Sequence, residues 1–117
     1  MYNIVEVQKM KKFKETVVKA LLPHIILTEA ARRSIYGYDI IKQIRKTYGV
    51  YLGPSTTYPA LNDLEKIGLL QSQWTQPIPQ SQRPRKFYTL TSKGKIQLAQ
   101  GSTVLALVNR MIEVKAS

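Results

Sequence analysis

Hydroxyl, aromatic and amide side chains crowd the start of one predicted helix, at a spacing suited to contacts with a polyanion. Successive members lie one helical turn apart or less: Ser55, Thr56, Thr57, Tyr58, Asn62 and Lys66. Free N–H groups at a helix N-terminus attract phosphate, and an asparagine amide can hydrogen-bond an adenine edge in a DNA major groove. Capping the helix needs only one of the three hydroxyls. The pattern therefore favours groove contact over the alternative, in which the hydroxyls only cap and Tyr58 only packs.

A cationic, proline-rich stretch between two predicted strands is the second candidate site. Apolar and polar residues alternate over 70–74 and 85–90, as in paired strands, and Trp74 and Tyr88 are expected to pack across them. The stretch 76–86 contains three prolines and three glutamines, and its cations are Arg83, Arg85 and Lys86. Prolines stiffen such a loop, so these cations are suited to backbone phosphates or to a minor groove. The alternative is a solvated turn whose charge is incidental.

The net charge of the chain indicates a polyanionic partner. Eighteen Lys and Arg against seven Asp and Glu give a formal net charge of +11 over 117 residues. No acid lies between Glu65 and Glu113, so the predicted hairpin and the helix after it form a cationic stretch. Such an excess is typical of proteins that bind nucleic acid, and less often of those that bind anionic membranes. We therefore expect double-stranded DNA as the partner.

The sequence offers no pattern for catalysis, for a metal site or for a cofactor. It has no cysteine, which excludes disulfides, thiolate zinc sites and cysteine nucleophiles. His24 is the only histidine and lies among apolar residues, so a core or interface position is expected for it. The apolar run at 20–27 is interrupted by Pro23 and is too short to span a bilayer. We expect a cytoplasmic protein that is not an enzyme and binds neither a cofactor nor a membrane.

Apolar residues at spacings of three and four predict the helices of the first half of the chain. One extends over about 3–32 and is expected to break or kink near Pro23, because proline is tolerated only in a first helical turn. Another follows over about 38–49, where it ends at a glycine.

The segments on either side of that helix are predicted to be short. Residues 34–37 are expected to form a connector, and residues 50–52 a single extended rung. The helix after them is expected to begin at Ser55 or Thr56, either of which can cap it. The later start suits Pro59 better, because only N–H groups in the first turn have no intrahelical partner to lose.

The order of these elements predicts a mostly helical α+β fold with a small β-hairpin wing. Taken as a single domain, the chain has an N-terminal helix over about 3–32, a helix-turn-helix over about 37–68, a wing over about 69–91 and a C-terminal helix over about 92–115. This order is that of a winged helix-turn-helix with an extra helix at each end. We expect the extra helices to serve dimerisation.

The last predicted helix carries more apolar surface than a small winged domain can bury at its own end. Its apolar residues recur at spacings of three and four, and the candidates for a dimer interface are Leu98, Leu105, Val108, Met111 and Ile112. A helix from a second copy would cover them and give a two-fold homodimer. The alternative is that the two terminal helices pack on each other within one monomer.

Several short motifs follow one another along the chain. They are YGYDI at 36–40, YPAL at 58–61, LEKIGLL at 64–70, Trp74, RPRKFYTLT at 83–91 and Gly94. Their order and spacing over about residues 15–100 resemble the PadR family of winged-helix transcription regulators. No single motif is specific, but the set is.

The resemblance implies a dimeric DNA-binding repressor whose terminal helices form the dimer. Carried over by position, the recognition helix and the wing would contribute Thr56, Thr57, Tyr58, Arg83, Arg85 and Lys86. Ser55 departs from a frequent glycine of the family, and Thr57 departs from a frequent aliphatic residue. Some members respond to small aromatic or drug-like effectors, although a single C-terminal helix leaves little room for an elaborate pocket.

Two other functions stay open on the sequence alone. An architectural protein that binds DNA with little sequence preference would carry the same charge. A winged-helix adaptor that binds protein and not DNA would need a neutral recognition face, and Asp63 and Glu65 keep that alternative open. Sequence-specific repression by a homodimer is the function that the residues and the resemblance favour.

Overall fold

Five helices and three short strands make up the described part of the chain. The structure is a computed structural model, and it describes residues 3–75 and 83–116. In chain order the elements are α1 (Ile4–Ala20), α2 (Leu22–Arg32), β1 (Ile35–Tyr36), α3 (Gly37–Tyr48), α4 (Pro54–Lys66), β2 (Leu70–Trp74), β3 (Lys86–Leu90) and α5 (Ser92–Ala116). The predicted mostly helical α+β fold of the winged-helix type is confirmed.

A proline lies at the junction of the first two helices. Pro23 is the second residue of α2, where its missing N–H has no partner to lose. α1 ends at Ala20, and Leu21 lies between the helices, so the predicted break near Pro23 is confirmed. At the start of α1, the Asn3 side chain accepts a hydrogen bond from the Glu6 N–H at 2.9 Å and caps the helix.

α3 begins directly after β1 and is the first helix of the helix-turn-helix. The Asp39 carboxylate accepts a hydrogen bond from the Tyr36 N–H at 3.2 Å, which stabilises the start of the helix. Ile40 and Ile44 lie one turn apart and are buried. Gly49 follows the last turn with a φ of 68°, a left-handed conformation that favours glycine. The helix predicted for this segment is confirmed.

The hairpin belongs to an antiparallel sheet with the strand order β1-β3-β2. Leu70 pairs with Leu90 and Trp74 with Lys86, which confirms the two predicted strands. Tyr88 is buried in the core, whereas Trp74 is 63% exposed. The predicted packing across the strands therefore holds for Tyr88 and is wrong for Trp74.

The third strand corrects two predictions. Residues 34–37 are not a simple connector, because Ile35 pairs with Tyr88 and Tyr36 with Phe87 to form β1. Residues 50–52 form no strand; Val50 and Leu52 pack into the core instead, and Tyr51 is exposed. A two-residue strand leaves too short an alternating pattern to be recognised in the sequence.

The hydrophobic core lies where α2, α3, α4 and the sheet meet. Its least exposed apolar side chains are Ile26, Ile35, Ile40, Ile44, Leu61 and Leu70. Because close-packed interiors resist deformation, the two helices of the helix-turn-helix cannot shift independently of the sheet.

α5 is attached through its first turn to the segment that follows α4. The Thr91 hydroxyl donates to the Gly68 carbonyl at 2.6 Å and accepts from the Gly94 N–H at 2.9 Å. Gly94 is buried, and a Cβ atom at this position would lie 2.2 Å from the Leu69 carbonyl oxygen. The close approach of the two backbones therefore requires a glycine.

Both terminal helices leave apolar side chains exposed. On α1, Met10, Phe13 and Val17 are exposed at spacings of three and four. The apolar stripe of α5 consists of five exposed side chains: Val104, Leu107, Val108, Met111 and Ile112. The two helices thus do not cover each other within the described residues. The radius of gyration is 17.0 Å, larger than the value of about 13 Å for a compact chain of similar size. Within the same residues, no helix is long and apolar enough to cross a membrane.

Candidate nucleic-acid interface

α4 begins earlier than the sequence predicts. Gly53 precedes the first helical residue, Pro54, whose fixed φ suits that position, and no side chain caps the helix. The prediction that Ser55 or Thr56 caps α4 is therefore wrong, and both lie inside the first turn. Pro59 consequently falls in the second turn, where its ring nitrogen cannot complete the helical hydrogen-bond pattern.

Thr57 is removed from the candidate contact residues by its position. Its side chain is fully buried, and its hydroxyl donates to the Leu52 carbonyl at 3.0 Å. A buried hydroxyl with a satisfied partner is not available to DNA, so the prediction for Thr57 is wrong. The first turn still presents Ser55, which is exposed, and Thr56, which is partly exposed.

Three further candidates lie on the surface of α4 at intervals of one turn. Tyr58, Asn62 and Lys66 are all exposed, as their i, i+4 spacing predicts. Tyr58 also packs on the start of α3: a Cβ atom at Gly37 would lie 2.2 Å from the Cε1 atom of its ring. The absence of a side chain at Gly37 thus lets α4 place Tyr58 against α3 while 40% of the residue stays exposed.

A polar cluster joins α4 to the hairpin. The Ser72 hydroxyl of β2 donates to the Glu65 carboxylate, and the Lys86 ammonium of β3 lies 3.3 Å from that carboxylate. The Ser72 hydrogen bond holds the pKa of Glu65 below its ordinary value against the opposing effect of burial, and Lys86 lowers this pKa further. Glu65 therefore points towards the hairpin, and part of the charge of Lys86 is neutralised within the protein.

The Glu65 carboxylate makes stability depend on pH in acid. Because folding lowers its pKa, the stabilisation is fully present above about pH 4.5 and is lost as the pH falls through the lowered pKa. The Glu65→Gln variant should be about 1 kcal/mol less stable than the wild type at neutral pH, and this difference should shrink towards pH 3. Urea unfolding at both pH values measures it. Asp63 is an exposed carboxylate on the same helix, so Asp63→Asn serves as the control. This variant should unfold with nearly the same free energy as the wild type at either pH.

The base of the wing presents two cations to solvent. Arg83 and Arg85 are both exposed, and the Arg85 guanidinium lies 4.2 Å from the centre of the Tyr36 ring. At that distance a cation–π contact orients the guanidinium while its N–H groups stay available. The proline- and glutamine-rich tip, residues 76–82, lies outside the described residues.

Sequence reasoning missed a basic groove on α3. The groove is open, has a volume of about 570 Å³ and is lined by Arg33, Asp39, Lys42, Gln43, Arg45 and Lys46. In helix-turn-helix proteins the first helix crosses the DNA backbone, so four cations here are placed to contact phosphate. The signal in the sequence was Lys42, Arg45 and Lys46 at spacings of three and one along one predicted helix.

Sequence reasoning also missed a concavity between α3, α4 and the hairpin. This aromatic concavity has a volume of about 470 Å³, and its lining residues are Tyr36, Gly37, Tyr38, Tyr58, Asn62, Trp74, Arg85, Lys86 and Tyr88. Tyr38 and Trp74 are both more than half exposed. Only the tertiary structure brings these residues together, because they come from five separate elements and from Arg85, which precedes β3.

The candidates for a dimer interface separate into two groups. Leu98 packs against the hydrophobic core of its own chain, and Leu105 is half-buried. Val108, Met111 and Ile112 belong to the exposed stripe of α5. Leu98 therefore contacts the core of its own chain and is partly buried there, because the first turns of α5 lie on the winged domain and only the later turns extend beyond it.

Comparison with known proteins agrees with this geometry. The sequence profile described as "Transcriptional regulator PadR-like family" matches residues 26–100. The chain is 26% identical to a PadR family transcription regulator from Clostridium difficile R20291, with a TM-score of 0.74, over 83% of this chain and 99% of that one. It is 25% identical to a PadR-like transcription factor from Bacteroides fragilis, with a TM-score of 0.73, over 87% of this chain and 96% of that one.

A curated relative shares a shorter segment. Over 54 residues, which are 46% of this chain, the sequence is 39% identical to the transcriptional activator GvpE of Haloferax mediterranei. The match spans only 28% of the length of that protein. The family profile, in contrast, covers well over half of this chain and includes α3, α4 and the hairpin. On that ground the chain belongs to the PadR-like family of transcriptional regulators, which bind DNA and are not enzymes.

Proposed function

We propose that this protein is a homodimeric transcriptional repressor that recognises a specific sequence in double-stranded DNA. α4 would enter the major groove, and the wing would contact the flanking backbone or minor groove. One observation carries the proposal: Tyr58 and Asn62 of α4 and Arg85 of the wing line the same concavity, so one approach of DNA can reach all three.

The distribution of charge supports this orientation. Asn62 offers an amide that can read a base edge, while Ser55, Thr56 and Lys66 would fix the register of α4 through the sugar–phosphate backbone. Glu65 is the acid nearest the wing, and its contacts with Ser72 and Lys86 turn it away from an incoming phosphate. The basic groove on α3 would bind the backbone next to the major groove.

The exposed stripe of α5 supports a homodimer. Met111 is 62% exposed, and a contiguous apolar face of this kind is usually covered by a partner. A two-fold axis near Val108 and Met111 would pair the stripe with itself and place two recognition helices on one side. Such a dimer predicts a pseudo-palindromic operator with half-sites about one helical turn apart, roughly 34 Å.

The remaining parts of the proposal follow from the resemblance and the family. The described elements would act as one domain in the cytoplasm, and a small aromatic effector would bind between the paired α5 helices. The Haloferax relative is named an activator, so the direction of regulation is read from transcription in vitro with and without the protein.

A salt-titrated binding assay tests the proposal. The full chain is titrated with duplex DNA from its own upstream region and with a scrambled duplex of equal length. A preference of about a thousandfold for the upstream DNA is expected. Equal and steeply salt-dependent binding to both would instead indicate an architectural protein. Binding to neither duplex would indicate the protein–protein adaptor.

The wing should contribute affinity without sequence preference. Arg85→Ala and Arg83→Ala are each expected to weaken binding to both duplexes and to lower the slope of log affinity against log salt by about one. Lys12→Ala, an exposed lysine on α1 outside the proposed surface, is the control and should leave the slope unchanged. Unchanged affinity in both arginine variants would show that the wing does not bind DNA.

A further inference from the structure

The aromatic concavity presents three exposed aromatic rings, those of Tyr38, Tyr58 and Trp74. We propose that it binds a single unstacked nucleobase together with its phosphate, as a free nucleotide or as part of single-stranded DNA. The proposal rests on the proposed function in one respect, since Tyr58, Asn62 and Arg85 are shared with the DNA-binding surface.

The rings of the concavity come from separate elements and stay accessible. Trp74 of β2 is 63% exposed, Tyr38 of α3 is 57% exposed and Tyr58 of α4 is 40% exposed, while buried Tyr88 contributes to the floor. Large aromatic side chains on a soluble protein normally bury most of their surface. Exposed rings in a cationic groove are the arrangement on which proteins stack bases.

Polar groups in the concavity fit the rest of a nucleotide. The exposed Asn62 amide has both donors and an acceptor for the edge of a base. Arg85 at the rim is held by the Tyr36 ring, and its guanidinium can bind a phosphate through two N–H groups. Lys86, above the Tyr88 ring at 5.3 Å, adds near the floor the part of its positive charge that Glu65 does not neutralise. The volume of about 470 Å³ lies in the range of small-molecule sites.

An intact duplex cannot use these ring faces. The faces of paired bases are stacked on one another, so they meet an aromatic side chain only after the base leaves the stack. A base in a free nucleotide or a single strand does not have to leave a duplex stack before it meets the ring. Either ligand would therefore compete with duplex DNA for Tyr58 and Arg85.

Trp74 makes the test direct, because it is the only tryptophan of the chain. The fluorescence of the full-length protein is recorded while adenosine monophosphate, a short oligodeoxyadenylate or sodium phosphate is added. Saturable quenching by the first two, and none by phosphate, is expected. Binding of the oligonucleotide alone would assign the base to a single strand, and binding of the mononucleotide as well would assign a sensor of free nucleotides; both support a nucleobase site.

Two tyrosine variants separate stacking from general effects. Tyr38→Ala should weaken nucleotide binding by about tenfold, because the stacking of one base on one aromatic ring accounts for an affinity change of about this size. Tyr51→Ala is the matched control: Tyr51 is also exposed and lies 5.9 Å from a guanidinium, that of Arg45, but it does not line the concavity. It should leave nucleotide affinity unchanged.

Three results would overturn the inference: no response up to about 10 mM nucleotide, equal quenching by phosphate, or equal losses in the two tyrosine variants. Duplex titrations on the same samples separate this inference from the proposed function. A preference for upstream duplex without a nucleotide response refutes the nucleobase site alone. A nucleotide response without duplex preference refutes sequence-specific regulation alone.

Discussion

Gly94→Ala is expected to unfold at a much lower denaturant concentration than the wild type. The new Cβ atom would lie 2.2 Å from the Leu69 carbonyl oxygen and 2.6 Å from the Leu90 Cδ1 atom. The Leu69 oxygen cannot move freely, because it accepts a hydrogen bond from the Thr91 N–H at 3.2 Å. Alanine is the better helix former by about 1 kcal/mol, but overpacking costs about 1–3 kcal/mol and occasionally more, and contacts this short against a fixed backbone belong at the upper end. The clash should therefore outweigh the gain in helix propensity, and the variant should be less stable than the wild type.

The same substitution in the same helix provides the control. At Gly101 a Cβ atom would meet the His24 ring, with Nδ1 at 2.8 Å, and a side chain can rotate away where a backbone carbonyl cannot. Gly101→Ala should therefore change the free energy of unfolding by less than about 1 kcal/mol. Urea unfolding followed by circular dichroism measures both variants. Equal midpoints for Gly94→Ala and the wild type would show that α5 does not depend on this close approach.

Val108→Asp is expected to convert the proposed dimer into a folded monomer. The side chain is exposed within one chain, so the change should alter the stability of the fold by only about 0.5 kcal/mol. In a dimer the new carboxylate would be buried without a partner, at a cost of several kcal/mol. Sedimentation equilibrium should give half the mass of the wild type. Affinity for a pseudo-palindromic operator should fall about a hundredfold or more, because the two half-sites are then bound independently.

A carboxylate elsewhere on α5 tests whether position or charge is responsible. Ser102 is exposed on the same helix and lies outside the apolar stripe. Ser102→Asp adds the same charge and should leave both mass and operator affinity near those of the wild type. If Val108→Asp remains a dimer, the stripe is not the interface and dimerisation must involve another surface, such as the exposed face of α1.

Local patterns were sufficient to predict the helices and the hairpin. The spacing of Ile40 and Ile44 marked the buried face of α3, and the alternation over 70–74 and 85–90 marked the paired strands. Pro23 marked the boundary between α1 and α2, because its chemistry allows few positions in a helix. Each of these signals depends on residues close together in the chain.

Features that depend on distant residues could not be read in this way. β1 forms because Ile35 pairs with Tyr88 of β3. A strand of two residues is too short to show a detectable alternation of apolar and polar residues. Thr57 has the chemistry of a contact residue, but its hydroxyl faces the Leu52 carbonyl because α4 starts at Pro54. The resemblance of the motifs indicated the family, but it did not show which hydroxyls of α4 face solvent. The aromatic concavity likewise needed the packing of five elements.

The strand order has a consequence for how the chain folds during synthesis. β3 lies in the middle of the sheet, so β1, made early, has no partner until the end of the hairpin has been made. Non-local pairing of this kind slows folding, and an unpaired strand exposes apolar surface in the meantime. α3 and α4 lie between the two strands in sequence, so closing the sheet encloses both. On a translating ribosome, α4 would therefore be made before its orientation is fixed by β3.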